Sequence, residues 1–192
     1  MSTLPNWFAK DGQENFENIV LPDYGGKNIR ALQIGAYTGD ASVWLYNNVL
    51  RGTDSVLVDV DTWEGSDEVA HHALDWGTVE SVYDAKILVA RNEKKIIKVK
   101  LTSDHFFRNN QEKFDFIYID GDHTAYGVLK DAVNAYECLK PWGILAFDDY
   151  QWSGGDGPED RPGMAIDAFL EIYKNKIEVI IKDYQCWVTK VG

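Results

Sequence analysis

The chain has 192 residues, of which 45% are hydrophobic and 13% aromatic, and its formal net charge is −12. This length and apolar content suit one domain with a sizeable core and exclude a disordered chain. The negative charge argues against a nucleic-acid partner, because such proteins usually carry a basic surface. The two cysteines are too few for a disulfide framework or a cysteine-based zinc cluster.

No signal for membrane insertion or for a second domain stands out in the sequence. The first residues lack a basic region followed by a long apolar run, and no stretch approaches the roughly 18 apolar residues of a spanning helix. No linker, repeat or low-complexity tract divides the chain. We therefore predict one domain over residues 1–192, a cytoplasmic location and no membrane partner.

Apolar runs and helical periods alternate along the chain. The predicted strands cover 29–34, 55–60, 96–101, 116–119 and 143–147, followed by a hairpin of 177–181 and 186–189. The first predicted helix begins at about Asp40, as its N-cap, and stops near Arg51 and Gly52. Three further predicted helices cover 79–90, 125–139 and 164–173. Strands separated by helices of this size predict an α/β fold with a doubly wound, mostly parallel sheet of seven strands that ends in an antiparallel hairpin.

The turn after the first strand contains Gly35 and Gly39. Glycines let the backbone approach a ligand, and the following helix supplies free N–H groups. Tyr37 replaces the second glycine of the dinucleotide fingerprint, so that motif is absent. The remaining spacing is used by S-adenosylmethionine enzymes, and a plain tight turn explains it equally well. The candidate cofactor loop comprises Gln33, Gly35, Ala36, Tyr37 and Gly39.

Polar residues also follow the second and third strands. Asp59 and Asp61 come about 20 residues after the glycine turn, where a carboxylate can accept hydrogen bonds from ribose hydroxyls. Strand alternation puts both on one face, and a solvated strand end is the alternative reading. Asp61, close to Trp63, is the preferred ribose ligand. Ser103 and Asp104 either bind an adenine edge or serve as ordinary turn residues.

Acids and a histidine follow the fourth and fifth strands. Asp120, Asp148 and Asp149 would meet at one carboxyl edge of a parallel sheet, where open α/β sheets bind ligands. An oxygen-rich set without cysteine suits Mg²⁺ or another hard divalent cation, and the three charges would repel one another without it. Asp120 is also a candidate cofactor contact. His123 is a candidate proton acceptor, with a structural histidine as the alternative.

The segment from Ile119 to Asp131 reads I-D-G-D-H-T-x-x-x-V-x-x-D, and L-K-P-x-G and F-D-D-Y follow it. This pattern resembles the class I S-adenosylmethionine-dependent methyltransferases, in particular the metal-dependent O-methyltransferases related to macrocin O-methyltransferase. The resemblance runs from about Arg30 to Phe169. It implies a Rossmann-like fold, S-adenosylmethionine and Mg²⁺ or another divalent cation as cofactors, and a small-molecule hydroxyl as the methyl acceptor.

The family's functional residues transfer to matching positions of this sequence. The resemblance assigns the metal to Asp120, Asp148 and Asp149, proton removal to His123, the cofactor loop to Gly35 and Gly39, and the ribose to Asp61. Two residues depart from the family pattern. Gln33 replaces an acid before the loop, although an amide can also hold the loop by hydrogen bonds. Trp142 replaces the first glycine of a Lys-Pro-Gly-Gly turn, away from the acids.

Two further function classes remain open from the sequence. The same acids and histidine could serve a metal-dependent hydrolase or lyase, or the chain could be a non-catalytic ligand-binding protein. Residues 1–28 are predicted to cover the site, and residues 151–163 have the composition of a lid loop. The acceptor is not specified by the sequence, and a homo-oligomer is compatible with it.

Overall fold

The computed structural model describes residues 4–66, 69–154 and 157–192. The strands are β1 Arg30–Ile34, β2 Val56–Asp61, β3 Ile96–Lys100, β4 Phe114–Ile119, β5 Leu139–Phe147, β6 Ile177–Lys182 and β7 Cys186–Lys190. They form one seven-stranded sheet in the order β3-β2-β1-β4-β5-β7-β6. Strands β1 to β5 pair in parallel, and β7 pairs antiparallel with both β5 and β6. The predicted Rossmann-like fold with a closing hairpin is confirmed.

Helices cover both faces of the sheet. They are α1 Asp40–Asn48, α2 Val69–His72, α3 Trp76–Asn92, α4 Ser103–Asn109, α5 Ala125–Cys138 and α6 Pro162–Tyr173. A chain of short π- and α-helical stretches precedes them: Phe8–Gly12, Gln13–Asn15, Phe16–Val20 and Leu21–Tyr24. We call these four stretches the N-terminal helical segment. Within the described ranges, no helix is long and apolar enough to cross a bilayer.

The sheet separates two hydrophobic clusters. One cluster lies under α1, α3 and the N-terminal helical segment, and the other lies under α5 and α6. Phe16 ties the N-terminal helical segment to the first cluster, since its fully buried ring meets those of Phe116 and Trp187 edge-on. Burying one such side chain contributes about 1.5–3 kcal/mol. Strands with apolar residues on both faces are the expected consequence of a parallel sheet covered on both sides.

Helix α1 begins differently from the sequence prediction. Its N-cap is Gly39, in the left-handed region at φ 79°, and Asp40 is the first helical residue. The Asp40 carboxylate accepts hydrogen bonds from the Thr38 hydroxyl (2.6 Å) and the Lys86 ammonium (2.7 Å), and does not cap the helix N–H groups. The predicted N-cap role of Asp40 was therefore wrong, because a local hydroxyl and the ammonium of a distant lysine take its oxygens.

Strand β5 begins earlier than the sequence predicted, at Leu139, and so includes the Lys-Pro-Trp-Gly stretch. Trp142, the predicted departure from the glycine of the family pattern, adopts a left-handed backbone conformation at φ 63°. Its side chain is 65% exposed, so it contributes little to the core. The departure from the family pattern at this position therefore lies on the surface of the fold.

Candidate active site

The carboxyl ends of β1, β2, β4 and β5 lie side by side, and the loops that follow them form one edge. Backbone pairing continues one residue into these loops: the N–H groups of Gly35, Asp120 and Asp148 donate to the neighbouring strand at 2.9, 2.8 and 2.9 Å. The sheet therefore fixes the first residue of the loops after β1, β4 and β5. All candidate site residues of the sequence analysis lie in or beside these loops and the loop after β3.

The candidate cofactor loop is held very close to the loop after β4. Gly35 has φ 84°, and a Cβ atom there would lie 1.8 Å from the carbonyl oxygen of Asp120, so only glycine fits. The buried Gln33 amide donates to the Gly35 carbonyl at 2.8 Å. As expected from the sequence, the neutral amide of Gln33 holds the loop by a hydrogen bond.

Asp61 connects the cofactor loop to the loop after β2. Its Oδ2 accepts the backbone N–H groups of Ala36 (2.7 Å) and Tyr37 (3.0 Å), and its Oδ1 accepts that of Trp63 (2.7 Å). A carboxylate offers about four acceptor positions, so Oδ1 retains capacity for one hydroxyl. Asp61 therefore has a structural role in this fold, and its predicted ribose contact would be added to that role.

Asp59 lies deeper than Asp61 and is fully buried. Its Oδ2 accepts a hydrogen bond from the Tyr83 hydroxyl of α3 at 2.7 Å. Burial raises the pKa of Asp59 from 3.8 to about 7, and the charge of Asp61 adds to this increase while the Tyr83 hydrogen bond opposes it. Because Asp61 contacts the cofactor loop and Asp59 lies deeper, this arrangement favours Asp61 over Asp59 as the ribose ligand.

The raised pKa of Asp59 predicts a specific pH dependence of stability. As pH rises from about 4 to 7, the unfolded chain releases the Asp59 proton before the folded chain does. The contribution of Asp59 to the free energy of unfolding is therefore largest below pH 4 and is lost as pH rises through 7. Between pH 4 and pH 7, ionisation of Asp59 should lower the free energy of unfolding of the unaltered chain by up to about 4 kcal/mol, at about 1.36 kcal/mol per pH unit. Asp59→Asn should not show this decrease. Urea unfolding at pH 4, 5, 6, 7 and 8 measures the difference.

The control for this experiment is Asp23→Asn, at an exposed position of the N-terminal helical segment. It should follow the pH profile of the unaltered chain. Equal pH profiles for Asp59→Asn and the unaltered chain would contradict the raised pKa.

An acid–histidine cluster lies after β4 and β5. Asp120, His123 and Asp149 each offer a ligand atom, and these atoms all lie within 4.8 Å of one another. His123 Nε2 is 3.1 Å from Asp149 Oδ2 and 3.9 Å from Asp120 Oδ1. The ring of Trp152 packs against His123 with 5.1 Å between centroids, and the Tyr184 hydroxyl donates to Asp149 Oδ1 at 2.8 Å. The structure thus brings three of the predicted residues together.

Asp148 is oriented differently from Asp149. Its Oδ1 accepts a hydrogen bond from the Gln185 amide at 2.7 Å, and its Oδ2 accepts one from the Tyr118 hydroxyl at 2.8 Å. Direct binding of a metal by Asp148 stays a prediction. Sequence reasoning missed Tyr118, Tyr184 and Gln185, because their only local signal is a polar residue within or beside an apolar strand.

Burial and the charges of neighbouring acids raise the pKa values of Asp120 and Asp148. Burial and the charge of Asp148 raise the pKa of Asp120 well above 3.8, and the neighbouring His123 lowers it in part. Burial and the charge of Asp149 raise the pKa of Asp148 to about 6. A cation would relieve this repulsion. Carboxylate oxygens without a thiolate suit Mg²⁺ or Mn²⁺, so the acids of the cluster fit a divalent ion.

A cavity of about 420 Å³ opens between the loop after β3 and the start of α5. Ser103 and Asp104, the candidate adenine contacts, both line it, as does the buried Asp131. Asp104 also forms an ion pair with Lys130, which lowers the pKa of Asp104. The structure therefore places both candidate residues at a space large enough for part of a ligand.

Three solved structures with similar folds have different names. The O-methyltransferase from Bacillus cereus in complex with SAH is 16% identical, with 94% of this chain and 80% of that chain covered and a TM-score of 0.65. The O-methyltransferase TomG from Streptomyces achromogenes, in complex with SAM, is 12% identical over 100% and 92%, with a TM-score of 0.66. A putative rRNA-methylase from Clostridium thermocellum is 13% identical over 100% and 99%, with a TM-score of 0.69. At these identities the likeness shows the fold alone.

Sequence comparison with known families gives a match over residues 32–150, to the family described as methyltransferase domain. The search of curated proteins gave no match. The matched range covers more than half of the chain and contains the cofactor loop, Asp61 and the acid–histidine cluster. The resemblance to methyltransferases is confirmed, and the narrower relation to macrocin O-methyltransferase stays a prediction. The chain belongs to the methyltransferase domain family.

Proposed function

We propose that the protein transfers the methyl group of S-adenosylmethionine to a hydroxyl oxygen of a small molecule, with the help of a divalent cation. The main support for the proposal is that the cofactor loop and the cluster of Asp120, His123 and Asp149 lie at the same edge of the sheet. Two similar folds that bind SAM or SAH in their crystals support it.

The loops after β1, β2 and β3 would bind the cofactor. Gly35 allows close approach of the backbone, and the spare acceptor position of Asp61 would take a ribose hydroxyl. Ser103 and Asp104 would contact the adenine from the cavity after β3. The sulfonium charge of the cofactor suits an edge rich in carboxylates, because opposite charges attract in a partly buried site.

The predicted ion ligands are Asp120, Asp148 and Asp149. Of these, Asp120 and Asp149 direct oxygens toward a common point with His123, whereas Asp148 adds its charge while bound to Tyr118 and Gln185. When bound, the ion would act as a Lewis acid and lower the pKa of the acceptor hydroxyl.

His123 is the proposed proton acceptor. Asp149, 3.1 Å from Nε2, would stabilise the imidazolium that proton uptake creates. The acceptor oxygen would form a bond to the methyl carbon while the carbon–sulfur bond breaks. The products are a methyl ether, S-adenosylhomocysteine and a proton on His123. Trp152 packs on His123 and lies in residues 151–163, the proposed lid, of which residues 155 and 156 lie outside the described ranges.

The proposal that the methyl acceptor is a small molecule rests on the net charge of the chain. The fold alone does not select the acceptor, because similar folds include one named as a putative rRNA-methylase as well as O-methyltransferases. A net charge of −12 opposes binding to RNA phosphates and favours a small molecule. A cytoplasmic location belongs to the same proposal. The hydrolase and ligand-binding alternatives predict no methyl transfer, so turnover of the cofactor separates them from this one.

Calorimetric titration with S-adenosylhomocysteine tests the cofactor assignment. Asp61→Ala should weaken binding by about 1–3 kcal/mol, because a charged hydrogen-bond acceptor is lost and the cofactor loop loses its tether. Glu178→Ala, at an exposed position of β6, is the control and should bind as the unaltered chain does. Unchanged affinity in Asp61→Ala would refute the role of Asp61. Failure of the unaltered chain to bind would refute the proposed function.

A further inference from the structure

A buried hydrogen-bond network lies behind the acid–histidine cluster. Gln185, between β6 and β7, is fully buried. Its Oε1 accepts hydrogen bonds from the Asn15 amide (2.8 Å) and the Trp187 indole N–H (3.0 Å), and its Nε2 donates to Asp148 Oδ1 (2.7 Å). An indole nitrogen can only donate, so the amide oxygen of Gln185 must face Trp187. The NH₂ group is therefore directed at Asp148.

Asp148 depends on this network for its orientation. Gln185 holds one oxygen, and the Tyr118 hydroxyl holds the other at 2.8 Å. The carboxylates of Asp120 and Asp149 are close enough to repel Asp148. Without its two donors, Asp148 would turn away from these charges or toward another partner. Donors on both oxygens therefore keep its charge at the edge of the cluster.

The N-terminal helical segment packs directly on the network. Asn15 supplies one of the two hydrogen bonds to Gln185, and a Cβ atom on Gly12 would lie 2.9 Å from the Gln185 nitrogen. These residues, like Gln185 and Trp187, lie outside the range 32–150 that matches the family. Residues near both ends of the sequence, outside the matched range, thus pack behind the part of the site that lies within it.

We propose that Gln185 is a positioning residue for the candidate ion site, and that Asn15 of the N-terminal helical segment fixes Gln185 in its working orientation. This inference rests on the proposed function, since it concerns the same cluster of acids. Residues that orient metal ligands, as Gln185 would orient the predicted ligand Asp148, typically change metal affinity by about 10–100-fold when they are removed.

The test measures Mn²⁺ affinity by electron paramagnetic resonance in the presence of S-adenosylhomocysteine. Gln185→Leu keeps a side chain of similar size and removes both hydrogen-bonding ends. We expect its Mn²⁺ affinity to fall by about 10–100-fold, while its affinity for S-adenosylhomocysteine stays within about twofold, because the hydrogen bonds described for Gln185 go to Asn15, Asp148, Trp187 and Asp183 and not to the cofactor loop. Asn15→Ala and Trp187→Phe each remove one donor to Gln185 and should give a smaller decrease of the same kind.

A matched control separates positioning from stability. Val188→Ala opens a cavity at a buried position of β7, in the cluster on the other face of the sheet. Its melting temperature should fall, and its Mn²⁺ affinity should not. Equal loss of Mn²⁺ affinity in Val188→Ala and Gln185→Leu would overturn the proposal, as would unchanged affinity in Gln185→Leu.

Two further outcomes keep the test decisive. If Gln185→Leu does not fold, Asn15→Ala and Trp187→Phe decide the result, and unchanged Mn²⁺ affinity in both overturns the proposal. If the unaltered chain binds S-adenosylhomocysteine but no Mn²⁺, the proposed function does not involve the ion, and the proposed role of Gln185 is refuted as well. Normal Mn²⁺ binding in every variant would reject the role of Gln185 alone.

Discussion

His123→Gln should slow methyl transfer by roughly two to four powers of ten, because general-base assistance typically contributes that much. Glutamine keeps a polar side chain of similar reach but cannot accept and carry the proton. Binding of the cofactor and of a divalent ion should persist, since the carboxylates of Asp120 and Asp149 are unchanged. Single-turnover transfer to an identified hydroxyl acceptor, followed against pH, is the measurement.

The matched control is His72→Gln, which changes an exposed histidine of α2. Its transfer rate should equal that of the unaltered chain. A normal rate in His123→Gln, or loss of its circular dichroism spectrum, would return His123 to a structural role. Metal binding alone would then have to account for acidification of the acceptor hydroxyl.

Changing both Asp148 and Asp149 to asparagine should abolish measurable divalent-ion binding while leaving the fold intact. The substitution removes two charges from a set of acids in which burial and neighbouring charges raise the pKa values of Asp120 and Asp148. Because asparagine has nearly the same volume as aspartate, it opens no cavity. Titration with Mn²⁺ measures the loss, and thermal unfolding checks the fold.

The double variant Asp23→Asn and Glu178→Gln provides the same change of charge at exposed positions. It should bind Mn²⁺ with unaltered affinity, which separates a local site from the general attraction of an acidic surface. Full retention of Mn²⁺ affinity in Asp148→Asn with Asp149→Asn would remove both residues from the candidate site.

Much of the fold follows from local sequence patterns. The alternation of apolar runs with helical periods predicted all seven strands, and most predicted boundaries differ from the structure by one or two residues. The N-terminal helical segment was not predicted as a helix. It combines short π- and α-helical stretches and depends on burial of Phe16 in the core. Short helices are marginal by themselves, so such a segment is stabilised mainly by packing.

Candidate site residues close together in sequence were found together in space. His123 follows Asp120 by three residues, and the parallel sheet brings Asp149 to them, because the carboxyl ends of β4 and β5 lie at the same edge. The glycine requirement at position 35 has the same origin, since the sheet places the loop after β4 against it. The motif and the topology are enough to indicate the place of the site.

The sequence by itself determined the order of strands and helices along the chain and the positions of the candidate cofactor loop and of the acids with His123. Each of these is encoded by local spacing and apolar periodicity. Only the tertiary structure decided which oxygen of each acid is engaged. Tyr118 and Gln185 bind Asp148 across 30 and 37 residues, and Tyr83 binds Asp59 across 24. Such contacts arise when separate elements pack, and packing geometry has no local signature in the chain.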